Sequence, residues 1–139
     1  MNTVLLDTGP LVSFINRRER HHEWVATLFG ELAPPLETCE SVLAEACFLL
    51  RRYPGGADAV MALVERGVVS PSFSLAREHA RVRRLLKRYY ETPMSLADAC
   101  LVRMSELIPE SVVMTLDADF KIYRRNGREV IPVIAPEQP

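Results

Sequence analysis

At 139 residues, 48% hydrophobic and 25% charged, the chain has the make-up of one ordinary globular domain spanning residues 1–139, with core enough to need no disulfide staples. No apolar run approaches the roughly 18 residues that cross a bilayer. The N-terminus reaches Asp7 without a basic region or a cleavable apolar segment, so neither secretion nor a membrane partner is expected. Cys39, Cys47 and Cys100 are odd in number and not spaced like zinc ligands, which points to reduced, buried thiols and a cytoplasmic setting.

Thr3-Val4-Leu5-Leu6 reads as a buried strand, and Gly9-Pro10 after it as a helix start. A short helix is expected over about 11–18, and a second over 22–32 with Trp24, Val25, Leu28 and Phe29 turned inward. Ala33-Pro34-Pro35 breaks it, and Leu36-Glu37-Thr38 forms a brief strand. Val42, Leu43, Ala46, Cys47, Leu49 and Leu50 recur at helical spacing, predicting a helix over about 40–52. After the break at Tyr53-Pro54-Gly55-Gly56, a helix over 57–65 ends at Gly67, and Val68-Val69 reads as a strand. The helix over about 75–90 is the most regular. Val82, Leu85, Leu86 and Tyr89 make its apolar stripe, and Arg77, Arg81, Arg84 and Arg88 run beside it. Thr92-Pro93 stops it, and Ser95 opens a helix to about 107. A strand over 111–116, a short helix over 118–124 and a last extended segment over 130–134, interrupted by Pro132, complete the chain. Short apolar strands alternating with helices imply an α/β protein: a three-layer α/β/α sandwich on a mainly parallel sheet of about five strands.

Four carboxylates stand where helices begin or just after: Asp7, Glu45, Asp98 and Asp117, with Asp119 beside the last. Capping explains each singly. Asp7 suits an Asx turn, Asp98 a capping box with Ser95, and Asp117 or Asp119 the start of the last short helix. Taken together they ask for more, because Asp7 and Asp117 each follow a strand and a parallel sheet puts both at its carboxyl edge. Anions gathered there repel one another unless a hard divalent cation sits among them, which points to a metal-dependent enzyme acting on phosphates.

The segments Leu5-Leu6-Asp7-Thr8-Gly9-Pro10-Leu11, Val42-Leu43-Ala44-Glu45-Ala46, Pro93-Met94-Ser95-Leu96-Ala97-Asp98-Ala99 and Thr115-Leu116-Asp117-Ala118-Asp119-Phe120 resemble the four motifs of PIN-domain ribonucleases. The resemblance is closest to the toxins of VapBC-type toxin–antitoxin modules. It implies a PIN-like α/β/α fold and hydrolysis of RNA phosphodiester bonds with Mg²⁺ or Mn²⁺. It also implies metal ligation by Asp7, Glu45, Asp98 and Asp117 with Asp119 as an auxiliary, a homodimer, and a cognate antitoxin partner.

Thr8, Ser95 and Thr115 each neighbour an expected ligand and carry a hydroxyl that would fix a carboxylate or touch a phosphate. His21, His22 and His79 are expected in solvated positions, outside the chemistry. In the stretch from Arg77 to Arg88, Glu78 is the only acid among six basic residues. The Arg77, Arg81, Arg84 and Arg88 stripe therefore suits RNA backbone or an acidic antitoxin segment, against the plainer reading of a solvated helix face. A phosphoacceptor receiver domain would want paired acids after the first strand and a lysine ending a late one. Here Asp7 stands alone and Lys121 falls within the last short helix. A PIN-like fold that only binds would be marked by missing acids, and all four are present.

Overall fold

The computed structural model describes residues 2–137. Five parallel strands form the main sheet: β1 (Thr3–Leu6), β2 (Leu36–Glu37), β3 (Val69–Ser70), β4 (Ser111–Met114) and, because a small hairpin intervenes, β7 (Val133–Ile134). Their order is β3-β2-β1-β4-β7, so β1 lies at the centre with the sequence-distant β4 beside it. Helices α1 (Thr8–Ile15), α2 (His22–Glu31), α3 (Glu40–Leu49), α4 (Gly56–Glu65), α5 (Leu75–Arg88) and α6 (Leu96–Leu107) flank the sheet in the expected α/β/α arrangement. None of the described helices is long and apolar enough to cross a membrane.

Burial follows the periodicities in the sequence. Leu5 and Leu6 of β1 and Val113 and Met114 of β4 are fully buried, as a sheet covered on both faces requires. On α5 the apolar stripe faces inward, with Val82, Leu85 and Tyr89 buried, while Arg77, Arg84 and Arg88 are exposed. Gly56 is needed where α4 starts against the end of α3, since a Cβ there would stand 2.7 Å from the Leu50 Cβ and 2.8 Å from its carbonyl oxygen.

Three elements depart from expectation. Helix α1 starts at Thr8 rather than near residue 11, because the Asp7 carboxylate accepts the Thr8 N–H at 2.8 Å and begins the helix at once. Pro10 then falls in the first turn, where its missing N–H costs nothing. Residues 118–124 are not a continuous helix: a 3₁₀ turn (Ala118–Lys121) leads into β5 (Arg124–Arg125). The apolar run from Val130 to Ile134 is likewise divided. Its start belongs to β6 (Glu129–Val130), which pairs antiparallel with β5, and only β7 joins the main sheet, beyond Pro132. Asn126 and Gly127 make the β5–β6 turn with φ of 52° and 86°, the left-handed conformations that Asn-Gly adopts most easily.

Candidate active site

The register of β1 on β4 builds the centre of the site. Leu6 pairs with Met114, so the residues that follow, Asp7 and Thr115, emerge side by side at the carboxyl edge of the sheet. The Asp7 N–H continues the ladder to the Met114 carbonyl at 3.0 Å, and the Thr115 hydroxyl donates to Asp7 Oδ2 at 2.6 Å. The same Thr115 oxygen accepts the Asp117 N–H at 2.9 Å, which bends the chain so that Asp117 stays near the cleft. From the other side, Thr8 donates its hydroxyl to Glu45 Oε2 at 2.8 Å and ties α3 to the start of α1.

Asp98 arrives on α6. Ser95 and Asp98 form a reciprocal capping box: the Asp98 N–H donates to Ser95 Oγ at 3.0 Å, and the Ser95 N–H donates to Asp98 Oδ2 at 3.1 Å. Asp117 caps the 3₁₀ turn by accepting the Asp119 N–H on Oδ1 at 2.9 Å. The capping explanation for these acids is therefore correct for Asp7, Asp98 and Asp117, and it does not exhaust them. Among the described residues, Asp98 Oδ1, Asp117 Oδ2 and Glu45 Oε1 accept no hydrogen bond.

All four acids line one open cleft of about 430 Å³, together with Thr8, Ser95, Gly9, Leu49, Pro93 and Leu116. Asp119 is not part of this lining. The electrostatics are strained. Burial is the main reason the Asp7 carboxyl is pushed up to about 6; the Thr115 and Thr8 hydrogen bonds oppose it, and the Asp98 and Asp117 charges add to it. Asp98 is raised as well, first by burial and in smaller part by Asp117, against the bonds from Ser95 and Tyr123.

A family model described as the PIN domain matches residues 4–126. The chain belongs to the PIN domain family. Among solved structures, VapC20 of Mycobacterium tuberculosis, described as a sarcin-ricin loop cleaving toxin, resembles it with a TM-score of 0.77 and 23% identity. That match covers 86% of this chain and 94% of the other, and at this identity it speaks for the fold. No curated protein matches the chain.

In this PIN domain the donors facing the cleft are carboxylate and hydroxyl oxygens, the set that hard divalent cations prefer. Among the described residues no group of three His, Cys, Asp or Glu side chains is already arranged to hold a metal ion. The fit therefore rests on donor chemistry and on mutual repulsion between the acids, which a cation would relieve.

Three further placements bear on the expectations. Arg81 of the basic stripe is engaged: its guanidinium grips Glu106 with two bonds of 2.9 and 2.6 Å, leaving Arg77, Arg84 and Arg88 as the exposed members. His22 is half-buried rather than solvated, with Nδ1 2.7 Å from the Ser13 carbonyl oxygen. It lines a larger groove of about 730 Å³ with Phe14, Ile15, Arg17, Tyr53 and Arg66, whose lining contains no carboxylate and so offers no comparable chemistry. Tyr123, absent from the expected site, reaches Asp98 with its hydroxyl at 3.1 Å. It lies 25 residues from its partner, and no local pattern marks such a contact.

Proposed function

We propose that the acid cleft hydrolyses RNA phosphodiester bonds with Mg²⁺ or Mn²⁺, and that the protein is the toxin of a toxin–antitoxin pair. The observation that carries this reading is the meeting of Asp7, Glu45, Asp98 and Asp117, from four separate segments, in one cleft. Membership of the PIN domain family supports nuclease chemistry, and the likeness to a toxin that cleaves the sarcin-ricin loop supports RNA as substrate and an antitoxin as partner.

In this reading Asp7, Asp98 and Asp117 hold the cation, and Asp119, outside the cleft lining, is an auxiliary that acts through water. A bound Mg²⁺ or Mn²⁺ would polarise the scissile phosphate and lower the pKa of a water beside it. Glu45, whose Oε1 accepts no hydrogen bond among the described residues, orients the attacking water and takes its proton as the water oxygen bonds to phosphorus, while the bond from phosphorus to the ribose oxygen breaks and that oxygen leaves with a proton from solvent. Thr8 and Thr115 keep Glu45 and Asp7 aimed, while the Ser95 hydroxyl is spent on its cap. The exposed Arg77, Arg84 and Arg88 meet RNA backbone or an acidic antitoxin segment. The apolar groove carrying Arg17 and Arg66 suits an acidic amphipathic segment of the antitoxin. The active form is a homodimer.

The test is cleavage of single-stranded RNA by purified protein with Mg²⁺ or Mn²⁺ and with excess chelator, beside Asp98→Asn. Cleavage that needs the metal and disappears in the variant is the expected result. Chelator-resistant cleavage, or full activity in Asp98→Asn, would overturn the reading.

A further inference from the structure

We infer that Tyr123 is a positioning residue for the metal site: its buried hydroxyl fixes the Asp98 carboxylate so that Oδ1 is the oxygen offered to the cation. The inference rests on the proposal that the cleft binds a divalent metal. Tyr123 is fully buried, and its hydroxyl donates to Asp98 Oδ2 at 3.1 Å. That same oxygen accepts the Ser95 N–H, also at 3.1 Å. Two donors occupy Oδ2, whereas Oδ1 accepts none among the described residues.

The χ2 torsion of an aspartate is broad, so a carboxylate left alone samples many orientations. Here one donor is a backbone N–H fixed by the capping box, and the other belongs to a ring that is itself held. Phe120 meets the Tyr123 ring edge-on at 5.3 Å between centroids, and Tyr89 does so at 5.2 Å. Tyr89 is anchored in turn by the Arg124 N–H, which donates to its hydroxyl at 2.9 Å. A buried tyrosine needs some hydrogen-bond partner, and a backbone carbonyl would satisfy it. What assigns a role beyond packing is that the partner is an acid of the cleft and that the bond leaves the opposite oxygen open.

The experiment measures Mn²⁺ binding to the RNA-free protein by electron paramagnetic resonance of the unbound ion, with circular dichroism as a check on folding. Tyr123→Phe keeps the ring and is expected to weaken Mn²⁺ binding by about 10-fold or more, the usual consequence of losing a hydrogen bond to a metal ligand. Ser105→Ala is the control. It removes another buried hydroxyl from α6, the helix that carries Asp98, but one that donates to the Val102 carbonyl at 2.6 Å outside the cleft, and it is expected to leave Mn²⁺ affinity unchanged. Wild-type affinity in Tyr123→Phe, equal weakening in both variants, or loss of the fold in Tyr123→Phe would each overturn the inference. If the wild-type protein takes up no Mn²⁺, the metal reading of the cleft fails and this inference with it.

Discussion

Replacing Asp7 by asparagine is expected to cut RNA cleavage by about 10³-fold or more while making the metal-free protein more stable at neutral pH. In the proposed mechanism the catalytic loss follows from removing one anionic ligand, since a metal's charge stabilisation is worth several kcal/mol and each ~1.4 kcal/mol is a factor of ten. The gain in stability follows from the same burial that makes Asp7 useful. Its carboxyl titrates at about 6 in the folded chain against an ordinary 3.8, chiefly because burial disfavours the charged form. The folded state therefore holds its proton more tightly than the unfolded state. Its contribution is fully present below pH 3.8 and is lost as pH rises through about 6.

At neutral pH that shift corresponds to about 3 kcal/mol, which asparagine avoids because it never ionises. The substitution also keeps the local bonds, with Oδ1 accepting the Thr8 N–H and the amide donating to the Thr115 hydroxyl oxygen. Thermal unfolding in chelator between pH 4 and 7.5 checks the claim. The two proteins should be closest near pH 4, with the variant ahead above pH 6. A variant that melts below the wild type at pH 7 would show that the carboxylate is not under strain.

Glu106→Ala is expected to lower stability by about 3 kcal/mol, a large effect for a polar residue outside the cleft. The Glu106 side chain is only 2% exposed and gathers three attachments. Arg81 of α5 grips both oxygens, Arg103 reaches Oε1 at 3.2 Å, and the Asn126 N–H of the β5–β6 turn donates to Oε2 at 2.6 Å. Burial opposes ionisation of this carboxyl, but the bonds from Arg81, Asn126 and Arg103 outweigh it and hold the group below its ordinary 4.5. Alanine leaves Arg81 half-buried without its partner, whereas Arg103 keeps Glu78 at 2.7 Å. The urea midpoint should fall with the slope of the transition unchanged. Because the folded-state pKa is depressed, the wild type should lose this contribution as pH falls below about 4.5, and the variant, lacking it, should show a flatter acid limb. A midpoint within a few tenths molar of wild type would mean that the two helices and the turn stay joined without this acid.

Elements whose evidence is local and periodic were readable in the chain. The alternation of apolar strands with helices sufficed for the parallel sheet, and the stripe of Val82, Leu85 and Tyr89 for the buried face of α5. The acids were visible because each sits beside a strand end or a helix start, and the pairing of β1 with β4 then brings Asp7 and Asp117 together. Side chains that act across long separations left no such mark. Nothing near Tyr123 names Asp98, and nothing near Glu106 names Arg81 or Asn126. The basic stripe looked uniform because its members share a spacing, yet Arg81 alone lies opposite a buried acid on α6. The β5–β6 hairpin is a different case. Asn126-Gly127 is a strong turn signal, but the apolar run after it hides the division made at Pro132.

In the proposed site Asp7, Asp98 and Asp117 surround a divalent cation. Anomalous diffraction from crystals soaked in Mn²⁺ tests it most directly. A peak is expected inside the cleft at about 2.1–2.2 Å from oxygens of these three carboxylates, the spacing of a small, hard, oxygen-ligated ion. It should disappear in Asp98→Asn. Mn²⁺ bound only elsewhere, or a peak unchanged in that variant, would contradict it.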